Sequence, residues 1–197
     1  GASPAVCKSF CPEGGEILQE LTAGTWYGPH STSLRMSDIG YRNKTQAGLK
    51  ISVNSLAEYT DGLASAVMTP SKEYEGIGIR VEDEYRQLSA NVLQIENEYY
   101  SAIRPKPAPA AEEPPVARLR AMGVEYIEVR TLDLNMLDPV GINQNQLRFA
   151  EAAMIRCLLT DSPPISPGEQ AEIDARELLV AREGRKPGLA LPMNGGV

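Results

Sequence analysis

The chain is poor in the residues that most often build nucleophilic and metal centres: one histidine and three cysteines in 197 residues. Cys7, Cys11 and Cys157 are an odd number, with no second pair to complete a zinc site beside Cys7-x-x-x-Cys11, so they read as thiols. His30 has no partner visible in the sequence and reads as structural. The P-loop, dinucleotide-fingerprint and serine-elbow patterns are absent, which removes three common phosphate and hydrolase chemistries as far as the chain extends. No run approaches the roughly 18 apolar residues of a membrane span, and no basic-then-apolar segment opens the chain. Nothing therefore directs it into or across a membrane, and the expected compartment is the cytoplasm. Cations are the minority charge, 19 Lys and Arg against 26 Asp and Glu for a net charge of -7. That excludes general binding to nucleic-acid backbone and requires an anionic substrate to meet locally gathered cations.

Composition is otherwise that of a folded protein, with 42% hydrophobic and 23% charged residues. At roughly 150 residues per domain the length fits one domain or a large part of one. The opening Gly-Ala-Ser-Pro, already apolar and without Met, reads as entry in mid-fold and hence as a fragment. Glycine and proline number 17 and 15 without the collagen period, so loops are plentiful.

Residues 1 to 30 read as loop with at most one short strand. Ser55-Leu-Ala-Glu58 is a capping box, and Leu56, Tyr59, Leu63 and Val67 follow at helical spacing until Thr69-Pro70. Alternation from Ala90 to Tyr100 predicts a strand whose polar face carries Gln94, Glu96 and Glu98. The proline-rich stretch 105–115 predicts an exposed excursion. Val124 to Leu132 alternates again and predicts a strand, and Asn145 to Leu159 predicts a helix with Leu147, Ala150, Met154 and Leu158 on one stripe. Ser166-Pro167-Gly-Glu169 opens a second helix, expected to close at Gly184 in the left-handed conformation.

Three groups of residues could carry chemistry. Glu128 and Arg130 lie two apart on the Val124–Leu132 strand and so share a face, while Ile127 and Val129 occupy the other and should pack under helices. The pair is either a solvated surface pair or one acidic ligand for a divalent cation beside one cation for a phosphate. Gln94, Glu96 and Glu98 could supply further oxygen ligands if their strand is a neighbour. Arg35, with Tyr41 and Tyr100, could fix a carboxylate through a guanidinium fork and phenol hydroxyls, or be ordinary structural residues. The basic stretches Ile103-Arg-Pro-Lys106 and Glu183-Gly-Arg-Lys-Pro-Gly188 read as solvated turns, with phosphate grips as the alternative.

Four blocks in register carry a resemblance. They are Thr32-Ser-Leu-Arg-Met-Ser-Asp-Ile-Gly-Tyr41 with Asn43-Lys44, Asn91-Val-Leu-Gln-Ile-Glu-Asn-Glu98 with Tyr100 and Ile103-Arg-Pro-Lys106, Glu125-Tyr-Ile-Glu-Val-Arg130 with Leu132-Asp133, and Glu183-Gly-Arg-Lys-Pro-Gly-Leu189. In order and spacing the chain resembles proteobacterial glutamate–cysteine ligases over nearly its whole length. The resemblance implies an α+β fold, an antiparallel sheet bent into a funnel with helices outside, related to glutamine synthetase. It makes residues 1–197 the central portion of a single catalytic domain, lacking an upstream part that brings several carboxylate ligands and a histidine.

It also implies ATP-dependent joining of the glutamate side-chain carboxylate to the amine of cysteine through an acyl phosphate, the first step towards glutathione. By position, Glu128 resembles a magnesium ligand, Arg130 a catalytic contact to the transferred phosphoryl group, and Arg35, Tyr41 and Tyr100 the cradle of the cysteine substrate. ATP and Mg2+ are the expected cofactors, and L-glutamate, L-cysteine and ATP the small-molecule partners. Nucleic acid and membrane are not expected partners, and the full-length protein should be a monomer. Two alternatives stay open: a non-catalytic amino-acid-binding module of the same fold, and a carboxylate–amine ligase acting on another amine.

Overall fold

The computed structural model describes residues 5–7, 18–40, 48–108 and 113–191. It divides into two compact units, Gly1–Tyr41 with Leu132–Val197 and Arg42–Thr131. As expected, the class is α+β and every strand pairing among the described residues is antiparallel; these strands form separate sheets of three, two and two.

The first unit opens with three strands where the sequence suggested loop with at most one short strand. β1 (Ala5–Cys7), β2 (Gln19–Thr22) and β3 (Thr25–Tyr27) form a sheet of order β1-β3-β2. Ala23-Gly24 turns β2 into β3, with Gly24 at φ +79°, the left-handed backbone that tight hairpins require. α4 (Gln144–Leu159) starts at a reciprocal capping box between Asn143 and Gln146. Its apolar stripe is not core in this chain, since Leu147 is 54% and Leu158 84% exposed.

α5 (Pro167–Glu183) starts as the sequence predicts, on the reciprocal box of Ser166 and Glu169 with proline in the first turn. It closes at Gly184, but Gly184 is right-handed, at φ -60° and ψ -15°, and not in the expected left-handed cap. The glycine serves close packing instead: a Cβ there would lie 2.5 Å from the Val180 carbonyl oxygen and 2.6 Å from Thr32 Cγ2. The last-turn carbonyls of α5, which a helix cannot satisfy internally, accept from the segment before Arg35. Thr32 N and Ser33 N donate to Ala181 O at 3.0 and 3.2 Å, Ser31 Oγ donates to Arg182 O at 3.0 Å, and the Thr32 hydroxyl donates to Val180 O.

In the second unit, α1 (Leu56–Met68) spans the predicted helix, with Ser55 Oγ accepting from Glu58 N at 3.1 Å. Glu58 does not close the box, because its carboxylate accepts from the hydroxyls of Ser52 and Ser55. α2 (Lys72–Ile77) and a hairpin of β4 (Arg80–Val81) and β5 (Glu84–Tyr85) follow. The core joins Tyr59, Leu63 and Ala66 of α1 to Ile51, Leu93, and Val116 and Leu119 of α3 (Pro115–Met122).

One expectation fails in this unit, and another fails at its start, residues 109–112 of it lying outside the described residues. Ala90–Tyr100 is not a strand: it is irregular chain with a 3-10 turn at Glu96–Glu98. Its backbone caps α1, Leu93 N donating to Ala66 O and Val92 N to Thr69 O, while the Asn91 side chain reaches Val67 O. Leu93 is thereby driven into the core with no exposure. The proline-rich excursion, in turn, begins as a strand. β6 (Ile103–Lys106) pairs with β7 (Tyr126–Val129) in the register Arg104↔Glu128 and Pro105↔Ile127. In a two-stranded sheet both strands are edges, where proline's missing N–H is tolerated. The Ile103–Lys106 stretch is therefore not a solvated turn.

Candidate functional site in the second unit

Side chains directly opposite each other in an antiparallel pair share a face, as do residues two apart along a strand. The β6/β7 register therefore puts Arg104, Lys106, Glu128 and Arg130 on one face. The Arg130 amide continues the ladder, donating to Ala102 O at 2.8 Å. Glu128 and Arg130 share a face as their spacing predicts, and Tyr100 joins them, with the Arg130 guanidinium 4.8 Å from the Tyr100 ring centroid.

Glu128 Oε2 is buried and makes no hydrogen bond. The nearest cation is Lys106 Nζ, 3.8 Å away and beyond hydrogen-bond reach. A shielded carboxylate oxygen with open lone pairs is the donor type that magnesium takes, so Glu128 fits the ligand that the resemblance implies. Among the described residues no group of three or more His, Cys, Asp or Glu forms a metal cluster. Gln94, Glu96 and Glu98 are committed elsewhere, contrary to the ligand reading. Glu96 accepts from Val116 N at 2.7 Å, complementing the start of α3. Glu98 accepts from Gln94 N at 2.7 Å, and Gln94 Oε1 from Leu88 N at 2.8 Å.

Arg104 belongs to the Ile103–Lys106 stretch that the sequence reads as a solvated turn, yet it is only 8% exposed. It donates to Asn97 O at 3.0 Å and approaches the Tyr59 hydroxyl. Burial pushes the Tyr59 pKa up, and the neighbouring guanidinium offsets part of that rise. The opposite face of the sheet departs from expectation. Ile127 is 47% and Ile103 41% exposed, so in this chain they do not pack under helices. α3 packs on α1 instead.

Arg35 belongs to the first unit, in a 3-10 turn (Leu34–Met36) capped by Ser33. Its Nε donates to Asp133 Oδ1 at 2.9 Å and its Nη2 to Leu132 O at 3.3 Å, which fixes the plane of the fork. Asp133 was part of the resembling motif but had no role assigned to it. Asp38 accepts a two-pronged contact from Arg182 of α5. Tyr41 and Cys11 lie outside the described residues, and Cys157 is an exposed free thiol. His30 takes part through its backbone, accepting from Arg185 N at 3.0 Å. The 183–188 stretch is a solvated turn, as expected, in which Lys186 holds the Glu183 carboxyl below its ordinary pKa.

The model of the family described as glutamate-cysteine ligase matches residues 1–180. The chain belongs to the glutamate–cysteine ligase family. It is 51% identical over 193 residues to the glutamate–cysteine ligase of Shewanella oneidensis, an alignment covering 97% of this chain and 37% of the relative. It is 50% identical over 195 residues to the ligase of Azotobacter vinelandii, covering 99% of this chain and again 37% of the relative. A crystal structure of glutamate–cysteine ligase from Francisella tularensis in complex with AMP superposes with a TM-score of 0.90 at 36% identity, covering 97% of this chain and 38% of that one. The chain thus spans somewhat over a third of the length of these ligases. No helix among the described residues is long and apolar enough to cross a membrane.

Proposed function

We propose that the full-length protein to which this chain contributes the central portion of a single catalytic domain joins L-glutamate to L-cysteine at the expense of ATP, as a cytoplasmic monomer. The observation that carries this reading is the β6/β7 face, where a buried carboxylate oxygen of Glu128 that makes no hydrogen bond stands on the same face as Arg130. Membership of the ligase family and the likeness to an AMP-bound ligase support it.

The chemistry assigns each group a task. A glutamate γ-carboxylate oxygen attacks the γ-phosphorus of ATP and ADP departs; the cysteine amine then attacks the acyl carbon, phosphate leaves, and the amine gives up a proton. Both steps crowd negative oxygens together, so the site must neutralise charge. Magnesium, when bound, supplies Lewis-acid stabilisation of the phosphate oxygens. Glu128 would hold it as one ligand among others brought by residues outside this chain. Arg130, steadied by Tyr100, would meet charge developing on the transferred group. Arg35, its plane fixed by Asp133, would grip the cysteine carboxylate, and the resemblance alone assigns Tyr41 and Tyr100 to the same substrate.

The test is ADP release by the full-length protein. Release should require both amino acids, and Glu128→Gln should lower turnover by on the order of a hundredfold while raising the magnesium requirement. Wild-type turnover and magnesium dependence in that variant would make Glu128 an ordinary surface carboxylate.

A further inference from the structure

On the β6/β7 face one carboxylate, Glu128, is flanked by three cations, Arg104, Lys106 and Arg130. A chain of net charge -7 has concentrated positive charge there, the condition that an anionic ligand requires. The cations differ in what already holds them. Arg104 is buried and tied to Asn97 O and Tyr59. Arg130 stacks on Tyr100. Lys106 is different: its side chain makes no hydrogen bond among the described residues and lies 3.8 Å from Glu128 Oε2, with 26% of its side chain exposed. Three ammonium donors are thus held beside the carboxylate by charge alone. A flexible point charge of this kind is the form in which lysine binds phosphate.

Resting on the ligase reading above, we propose that Lys106 is a phosphate-binding residue of that site. Its ammonium neutralises Glu128 in the structure described here and takes up the β- and γ-phosphate oxygens of the nucleotide when a divalent cation occupies the carboxylate. Arg104, locked in the core, fixes the strand from which Lys106 projects and serves as a positioning residue.

The experiment is equilibrium binding by titration calorimetry with the full-length protein and magnesium, using AMP, ADP and a non-hydrolysable ATP analogue. A phosphate contact makes the loss grow with the length of the phosphate chain. Lys106→Gln should weaken the ATP analogue tenfold or more, ADP less, and AMP less than twofold, with unchanged circular dichroism; Lys106→Arg should recover most of the affinity. If Lys106→Gln fails to fold, Lys106→Met, which keeps the aliphatic stem, takes its place in the same series. Affinity for the ATP analogue within twofold of wild type in a folded variant overturns the proposal, as does an equal loss for all three nucleotides. The ligase reading fails separately, if wild-type ADP release does not depend on glutamate and cysteine, because the binding series needs no turnover.

Discussion

Gly40 links packing to chemistry at a single atom. A Cβ added there would lie 1.7 Å from the Arg35 carbonyl oxygen, 2.4 Å from its carbon and 2.9 Å from Arg35 Cα. All three are backbone atoms, so no side-chain rotation relieves the clash. The φ of Gly40 lies outside the left-handed region, which leaves steric conflict as the whole effect of Gly40→Ala. Reaching ordinary contact requires a movement of roughly 1.7 Å, and overpacking of this kind costs about 1–3 kcal/mol. The movement would carry the Leu34–Met36 turn and its guanidinium away from the 2.9 Å bond to Asp133. A displacement of about 1 Å at a positioning group can cost on the order of a hundredfold in rate. In the full-length protein Gly40→Ala should therefore lower kcat/KM for cysteine about a hundredfold and reduce Tm by several degrees. Gly48→Ala is the control, since a Cβ there meets nothing within 4 Å, and it should be neutral or stabilise by about 0.4–1 kcal/mol. A Gly40→Ala protein with wild-type Tm and wild-type cysteine kinetics would refute the coupling.

Two further outcomes separate buried from exposed elements and fix a pH dependence. Leu93→Ala, at a fully buried position, should cost about 2–5 kcal/mol in urea unfolding, whereas Ile127→Ala in this chain should cost under about 1 kcal/mol because the side chain is half in water; equal costs would contradict the packing. The Glu169 carboxyl is held below its ordinary pKa, first by the Ser166 backbone N–H and then by the Ser166 hydroxyl. Its contribution is present above the unfolded-state value of about 4.3 and is lost as pH falls through the lower folded value. Thermal unfolding between pH 6 and 3 should then show a steeper acid loss for wild type than for Glu169→Gln, and parallel curves would remove the capping box from the acid limb.

The starts of the long helices were legible because they are written locally. Ser166 and Glu169 lie three residues apart and close a reciprocal box within one turn; Asn143 with Gln146 carries the same signal at α4, which the helical spacing from Asn145 passed over. The positions where α1 and α5 stop, at Thr69-Pro70 and Gly184, were legible as well, but the groups that cap them were not. Both helices leave last-turn carbonyls that are satisfied by distant segments, residues 91–93 for α1 and 31–33 for α5. No local pattern marks such a cap. For the same reason the alternation of Ala90–Tyr100 misled: the hydrogen bonds of Asn91, Val92 and Leu93 go to the end of a helix rather than to a neighbouring strand.

The site shows the same division between local and tertiary information. That Glu128 and Arg130 share a face follows from a spacing of two, and the sequence suffices for it. What lies opposite them does not follow, because the partner strand contains Pro105, and proline beside Pro107 and Pro109 reads as a break in regular structure. Read that way, Arg104 and Lys106 are solvent-facing charges at the lip of a loop. The register Arg104↔Glu128 brings both onto the carboxylate's face. The cations that give an acidic chain a place for a polyanion thus sit in the segment whose composition argued most strongly against a strand; the sequence leaves them as a solvated turn or a phosphate grip, and the pairing fixes the face they share with Glu128.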